Sequence, residues 1–183
     1  MPRLAFITLL LLLAGCSAST RYIINVNVLS FIPQNQRSLN IPTGYYLVIY
    51  PGLEGQLVPL PMSLDILERG QIDIKGTLTN TGSIPMSGEY EIRLAPESDT
   101  NLGDNSGGDV GLGRTSFNVA AGQSRPISTT VNLSATENSA AFNIIKSGSF
   151  RIAIRVEANS NGGRFDLTTA GVRVTGRPFA IIK

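Results

Sequence analysis

The side chains best suited to catalysis or metal binding are scarce in this chain of 183 residues, which has one cysteine, Cys16, and no histidine. Zinc or copper sites built on several imidazole or thiolate ligands are therefore excluded, as are a Ser-His-Asp triad and an internal disulfide. The lysines are Lys75, Lys146 and Lys183, and no local motif pairs one of them with a serine nucleophile. This composition predicts a protein that is not an enzyme.

Paired carboxylates are the remaining means of general acid–base catalysis. Asp73, Glu89, Glu91 and Glu157 alternate with apolar residues along the sequence. Such alternation is typical of a solvated sheet face, so we interpret these carboxylates as surface groups. A hydrolase would need two of them to meet in a cleft with separated pKa values.

Residues 96–113 form a segment rich in oxygen ligands and glycine. Calcium prefers several carboxylate and carbonyl oxygens on a pliable loop, and the candidate ligands here are Asp99, Asn101, Asp104 and Asp109. Their spacing does not match the EF-hand pattern. Because Gly, Asp, Asn and Ser are also ordinary loop residues, we expect a mobile surface connection that binds no cofactor.

Three tyrosines, Tyr45, Tyr46 and Tyr50, are the candidates for a glycan-stacking platform. Carbohydrate-binding surfaces usually expose aromatic side chains, and this chain has no tryptophan. Large aromatic side chains are generally buried in folded domains. We therefore predict that these tyrosines belong to the core.

The N-terminal residues have the pattern of a signal peptide. Arg3 precedes an apolar run over residues 4–13, and the small residues Ala14 and Gly15 follow it. The run is shorter than the roughly 20 apolar residues that a transmembrane helix needs. Residues 1–15 are therefore predicted to be removed on export.

The sequence Leu13-Ala14-Gly15-Cys16 resembles the bacterial lipobox. The resemblance implies that the thiol of Cys16 carries a diacyl anchor with palmitate-type chains and that the signal peptide is cut just before it. Several acyl chains hold a protein on a membrane much more firmly than one. Ser17, in place of aspartate, implies sorting to the outer membrane if the source is diderm. Residues 16–21 would then be the lipidated N-terminus and a short tether.

The charge of the chain favours no particular partner, since the formal net charge is only +2. The cationic side chains are scattered singly from Arg21 to Arg177, whereas a nucleic-acid-binding protein would cluster them on one face. Nucleic acid is therefore not expected as a partner.

Alternation of apolar and polar residues predicts β-strands in most of the remaining chain. Six segments are predicted, at residues 24–28, 45–50, 71–80, 89–94, 127–133 and 150–156. Weaker candidates are a closing strand around Val172 and Val174 and an edge strand over residues 179–182. Ser134 is a candidate N-cap for a short helical turn at residues 135–145, and residues 51–61 are predicted to be a loop or irregular edge.

Residues 22–183 are thus expected to form a single all-β domain, an immunoglobulin-like antiparallel β-sandwich, with a small barrel as the alternative. Three segments of turn and strand residues occur in order, at residues 74–82 (Ile-Lys-Gly-Thr-Leu-Thr-Asn-Thr-Gly), 120–124 (Ala-Ala-Gly-Gln-Ser) and 147–153 (Ser-Gly-Ser-Phe-Arg-Ile-Ala). They resemble the CARDB and related immunoglobulin-like domains of bacterial surface proteins; LEA-type β-sandwiches are a second possible relative. The resemblance implies a surface location and no catalytic residues.

These observations predict a non-enzymatic envelope lipoprotein, held on the membrane by its lipid, that docks, spaces or adheres to another envelope protein. The alternative is a surface module that binds calcium or a glycan. A hydrolase with two carboxylates is the third class.

Overall fold

A computed structural model describes residues 21–60 and 66–177. The predicted all-β antiparallel fold is confirmed: within these two ranges, eight strands form the sheet, with one short helix and two 3-10 turns, at Val28–Phe31 and Gln34–Gln36. The elements are β1 (Tyr22–Asn27), β2 (Ser38–Tyr50), β3 (Gln56–Pro59), β4 (Leu67–Asn80), β5 (Met86–Pro96), β6 (Val110–Val119), β7 (Ser124–Leu133), α1 (Ser139–Lys146) and β8 (Ser149–Gly176). The signal peptide, Cys16, Ser17 and the strand predicted at 179–182 lie outside the described residues.

The 28-residue strand β8 organises the whole sheet. One of its edges pairs with β5 and then with β4, and the other edge pairs with β3, β2 and β1. The order β6-β5-β8-β4-β7 therefore runs continuously through β8. Two predicted strands are one because β2 pairs along the turn-like residues 159–163 on one edge. On the other edge, β5 pairing ends at Asn159, β4 pairing begins at Gly163, and the N–H groups of Thr81 and Gly82 donate to the Gly162 carbonyl between them.

The sheet folds over so that its inward side chains form one core. The predicted inward residues of β4 and β5 are buried there: Ile72, Ile74, Leu78, Tyr90, Ile92 and Leu94. The strands β6 and β7, which lie at opposite ends of the strand order, come close to each other. A Cβ added to Gly113 of β6 would lie only 2.6 Å from the methyl group of Thr129 on β7. Because β6 and β7 approach this closely, the core is covered on both sides. Each large apolar side chain that is fully buried contributes about 1.5–3 kcal/mol.

Some elements differ from the sequence predictions. β6 was not predicted, because its glycines and Arg114 interrupt the apolar alternation, and β3 lies in the segment predicted as loop or irregular edge. The helix begins at Ser139, and Ser134 instead closes the preceding turn, where its Oγ accepts a hydrogen bond from the Glu137 N–H at 3.0 Å. Within residues 21–60 and 66–177, no helix has the length and apolar character needed to cross a bilayer.

Candidate docking surface

The loop at residues 97–109, between β5 and β6, folds over the outer face of the sheet. Leu102, at its centre, is completely buried and forms a small second core with Ile49, Ala95 and Ala153. The Leu102 N–H donates a hydrogen bond to the Leu53 carbonyl at 2.9 Å. The loop is therefore a packed part of the domain, in contrast to the solvent-exposed connection that the sequence predicted.

The four candidate calcium ligands mostly bind groups of the protein itself. Asp99 Oδ1 accepts a hydrogen bond from the Asn101 N–H at 2.9 Å, and Asp104 accepts one from the Asn101 side chain at 2.8 Å. Hydrogen bonds from Ser106 hold the pKa of Asp104 below its usual value. Asp109 pairs with Arg93, although one oxygen each of Asp99 and Asp109 is buried without a partner. Within the described ranges, no group of three or more acidic side chains is close enough together to hold a metal ion.

Arg93 connects this loop to the sheet. Its side chain is only 5% exposed, and it forms ion pairs with Glu91, at 3.3 Å, and with Asp109. Its Nε also donates a hydrogen bond to the Leu102 carbonyl at 3.1 Å. The prediction that Glu91 is a solvated surface group is therefore wrong, because the loop covers the face to which its alternation assigned it.

The ion pairs continue outward from Glu91 across three strands. Arg155 of β8 lies 3.2 Å from Glu91 and also pairs with Glu157, while Arg114 of β6 lies 3.2 Å from both Glu91 and Glu89. Each carboxylate thus has an arginine partner, and the space among them encloses no cavity of measurable volume. This is the geometry of a structural ion network, unlike the open cleft that a two-carboxylate hydrolase requires.

Strand β2 forms the free edge beside this network. In the part of the chain that the structure describes, β2 pairs with β8 alone. None of its 13 residues is charged. Beyond Pro42, residues 43–50 pair with β8 without interruption. A long, uncharged edge strand presents unpaired N–H and C=O groups, so it is a template for another strand.

The side chains of β2 alternate between the core and the outer face. Tyr50 is buried, with its ring edge-to-face against Phe165 at 5.8 Å between centroids, and Tyr46 packs against the same core. Burial raises the pKa of Tyr50 to about 12. Tyr45 is 70% exposed and Leu47 43% exposed, so the predicted burial is wrong for Tyr45. Its hydroxyl donates to Glu157 Oε2 at 3.3 Å.

Two other strands at the ends of the sheet order carry residues that discourage pairing. β6 contains Arg114, and β7 contains Arg125 followed by Pro126. Charged side chains and proline are the usual means by which proteins protect a sheet edge from association. The strands β1 and β3 are also uncharged and pair with β8 alone, but they have only six and four residues, and β3 ends in Pro59. Among the described strands, β2 combines an uncharged edge with a length of 13 residues, and this combination makes it a surface suited to binding.

No family model matches the chain, and no curated protein matches it. Among solved structures, it is similar to a chain of infectious bursal disease virus, Gx strain, with a TM-score of 0.47 and 8% identity over 89% of this chain and 35% of that chain. For the VP2 subviral particle of the same virus the TM-score is 0.42, with 9% identity over 88% of this chain and 34% of that chain. The chain thus spans about a third of the length of the viral chains that it matches. A further match is the C-terminal CBM6 of LamC, a marine laminarinase from Zobellia galactanivorans, with a TM-score of 0.26 and 13% identity over 84% of this chain and 99% of that chain.

Proposed function

We propose that the protein is a non-enzymatic lipoprotein of the bacterial envelope and that it docks an extended segment of a partner protein along β2. The observation that carries the proposal is the uncharged edge of residues 43–50, which pairs with β8 on one side only among the described residues. A partner segment of matching chemistry is uncharged and has apolar side chains at every second position. It would add one strand to the sheet, with main-chain hydrogen bonds providing affinity.

The outer face beside β2 offers contacts for the partner's side chains. Tyr45 and Leu47 project from alternate positions of the strand. Next to Leu47 lies an open depression of about 510 Å³, which Leu53 and Gly103 also line. Pockets for alternate side chains are what give strand addition its specificity.

The surface is held in place before any partner binds. Ile49 of β2 packs against the buried Leu102, and the ion network continues behind Tyr45 to Glu157. A strand that is already ordered loses less conformational entropy on association than a flexible one. This rigidity supports a docking role for the strand.

The anchor in this proposal is the lipid on Cys16, and its support is the lipobox at Leu13–Cys16. The same resemblance, together with Ser17, supports the outer membrane as the location in a diderm source. The partner would then be another envelope protein.

The experiment is site-specific photo-crosslinking in intact cells, with p-benzoylphenylalanine placed at Tyr45. The matched control position is Thr130, an exposed residue on the outer side of β7. We expect one discrete adduct with a different envelope protein from position 45 and none from position 130. An adduct with a second copy of this chain, or equal adducts from both positions, would contradict the proposal.

A further inference from the structure

The two ends of the described domain meet at a cluster of arginines. Tyr22, which begins β1, pairs with Gly176, which ends β8. The neighbouring side chains Arg21 and Arg177 both contact the Glu68 carboxylate, at 3.7 Å and 2.9 Å. One carboxylate therefore lies between two guanidinium groups at this end of the sheet.

Two further arginines line a cleft on the adjoining sheet face. Arg69 of β4 pairs with Thr175 of β8, and Gln71 pairs with Arg173, so the two arginines lie on neighbouring strands. Both are exposed, and neither forms an ion pair with a carboxylate of the described residues. The cleft has a volume of about 600 Å³, and its polar lining includes Arg69, Gln71, Asn132, Glu137, Arg173 and Thr175.

The register of β4 and β8 thus gathers arginines that are scattered along the sequence. We call the end of the domain that contains Arg21, Arg69, Arg173 and Arg177 the arginine end. Among the described residues, its four cations face two carboxylates, Glu68 and Glu137, so positive charges exceed negative charges there by two.

The arginine end is also the end nearest to the proposed anchor. Cys16 precedes Arg21 by five residues, which span at most about 18 Å when fully extended. This step rests on the lipidation of Cys16 in the proposed function. A lipid at Cys16 would keep the arginine end close to the headgroups of its membrane.

We propose that the arginine end lies against anionic phospholipid headgroups and that their phosphates bind in the cleft between Arg69 and Arg173. A guanidinium group donates two parallel hydrogen bonds to phosphate oxygens, and the nearby amide and hydroxyl groups are further donors. Residues 43–50 pair with β8 at residues 154–161, toward its opposite end. The same contact would therefore point the docking edge of β2 away from the membrane.

The test uses the acylated protein purified from cells and reconstituted in vesicles. Because Cys16 is the only cysteine, Asn132→Cys adds a single free thiol in the cleft for a fluorescent label. Ala121→Cys, in the exposed turn at the far end of β4, is the matched label position. A nitroxide on a lipid headgroup quenches the label when the two are close.

We expect quenching at position 132 to be at least about twofold greater in phosphatidylcholine vesicles that contain about 30 mol % phosphatidylglycerol than in phosphatidylcholine alone. Arg69→Gln with Arg173→Gln should abolish this difference, and Arg125→Gln at the far end should preserve it. Position 121 should be quenched little in either vesicle.

Other outcomes would overturn the inference. Equal quenching with and without phosphatidylglycerol, in protein whose mass shows the acyl chains, would refute the headgroup contact and leave the proposed anchor intact. A mass without acyl chains would refute both. Thermal stabilisation by inorganic phosphate that requires Arg69 and Arg173, without headgroup quenching, would identify a site for a soluble anion instead.

Discussion

The Nε of Arg93 donates a hydrogen bond of 3.1 Å to the carbonyl of Leu102, and this bond joins the sheet to the loop that covers it. Arg93 is paired with Glu91 on its own strand, and the Leu102 side chain packs against Ile49 on β2. The loop, the ion network and the docking edge are therefore one connected structure. Changes in the loop should reach β2 through these contacts.

Asp109→Ala should destabilise the protein by about 3 kcal/mol, because it leaves the buried Arg93 with one carboxylate partner instead of two. Urea unfolding measures the change in the free energy of unfolding. Glu97→Ala removes an exposed carboxylate from the same loop and should change it by less than about 0.5 kcal/mol. Equal effects of the two substitutions would show that the Arg93–Asp109 pair does not hold the loop.

Leu102→Ala should cost about 2–5 kcal/mol, the usual range for a fully buried leucine. We also expect faster proteolytic cleavage within residues 97–109, since the loop loses its apolar contact with the sheet. Leu53→Ala is the matched control, because the Leu53 side chain is exposed and the substitution keeps the carbonyl that accepts a hydrogen bond from Leu102. A protease-resistant loop in the Leu102→Ala variant would contradict this account of the second core.

Stability should fall at alkaline pH as Tyr50 titrates. Burial raises its pKa to about 12 from the ordinary value of 10.0, so between these values the unfolded chain has lost a proton that the folded chain keeps. The contribution is complete below pH 10 and is lost as the pH rises toward 12, by about 1 kcal/mol at pH 11.

Comparison with Tyr50→Phe isolates this titration from that of the other groups. The variant should be less stable than the wild type by about 1 kcal/mol near pH 9, since it lacks the hydrogen bond to the Gln36 carbonyl. The difference should shrink at pH 11. A constant difference in urea unfolding across this range would show that Tyr50 has the same pKa in both states.

Calcium should leave the melting temperature unchanged. Asp99, Asp104 and Asp109 accept hydrogen bonds from protein groups and do not gather around one point. A ligand present at about 100 times its Kd would stabilise the folded state by about 2.7 kcal/mol, which a thermal scan readily detects. A rise in Tm in calcium relative to EDTA, abolished by Asp99→Asn, would establish a site at the buried, unpartnered oxygen of Asp99.

Strands in which apolar and polar residues alternate regularly could be predicted from the sequence, because one face of such a strand lies against the core and the other faces outward. Ile72, Ile74 and Leu78 of β4 face the core as their spacing indicates. The continuity of β8 could not be predicted, since its turn-like centre is extended only because β2, which is distant in sequence, pairs along it.

The candidate surfaces depend on contacts between distant parts of the chain, so the sequence identified them only in part. Alternation placed Glu91 and Arg93 on the outer face correctly, but it could not show that Leu102 and its loop bury them. The composition of residues 97–109 identified them as a loop, but it did not indicate that the loop packs against the sheet through Leu102. The register between β4 and β8 places Arg69 and Arg173 on neighbouring strands, and no local sequence pattern indicates that register.

The most direct test of the docking proposal is the yield of the crosslinked adduct from position 45 when a charge is added to the edge. Leu47→Lys should reduce the yield at least about tenfold, because a lysine on an edge strand opposes the addition of another strand. Thr130→Lys adds the same charge to β7 and should leave the yield unchanged. An adduct that persists undiminished in the Leu47→Lys protein would contradict docking along β2.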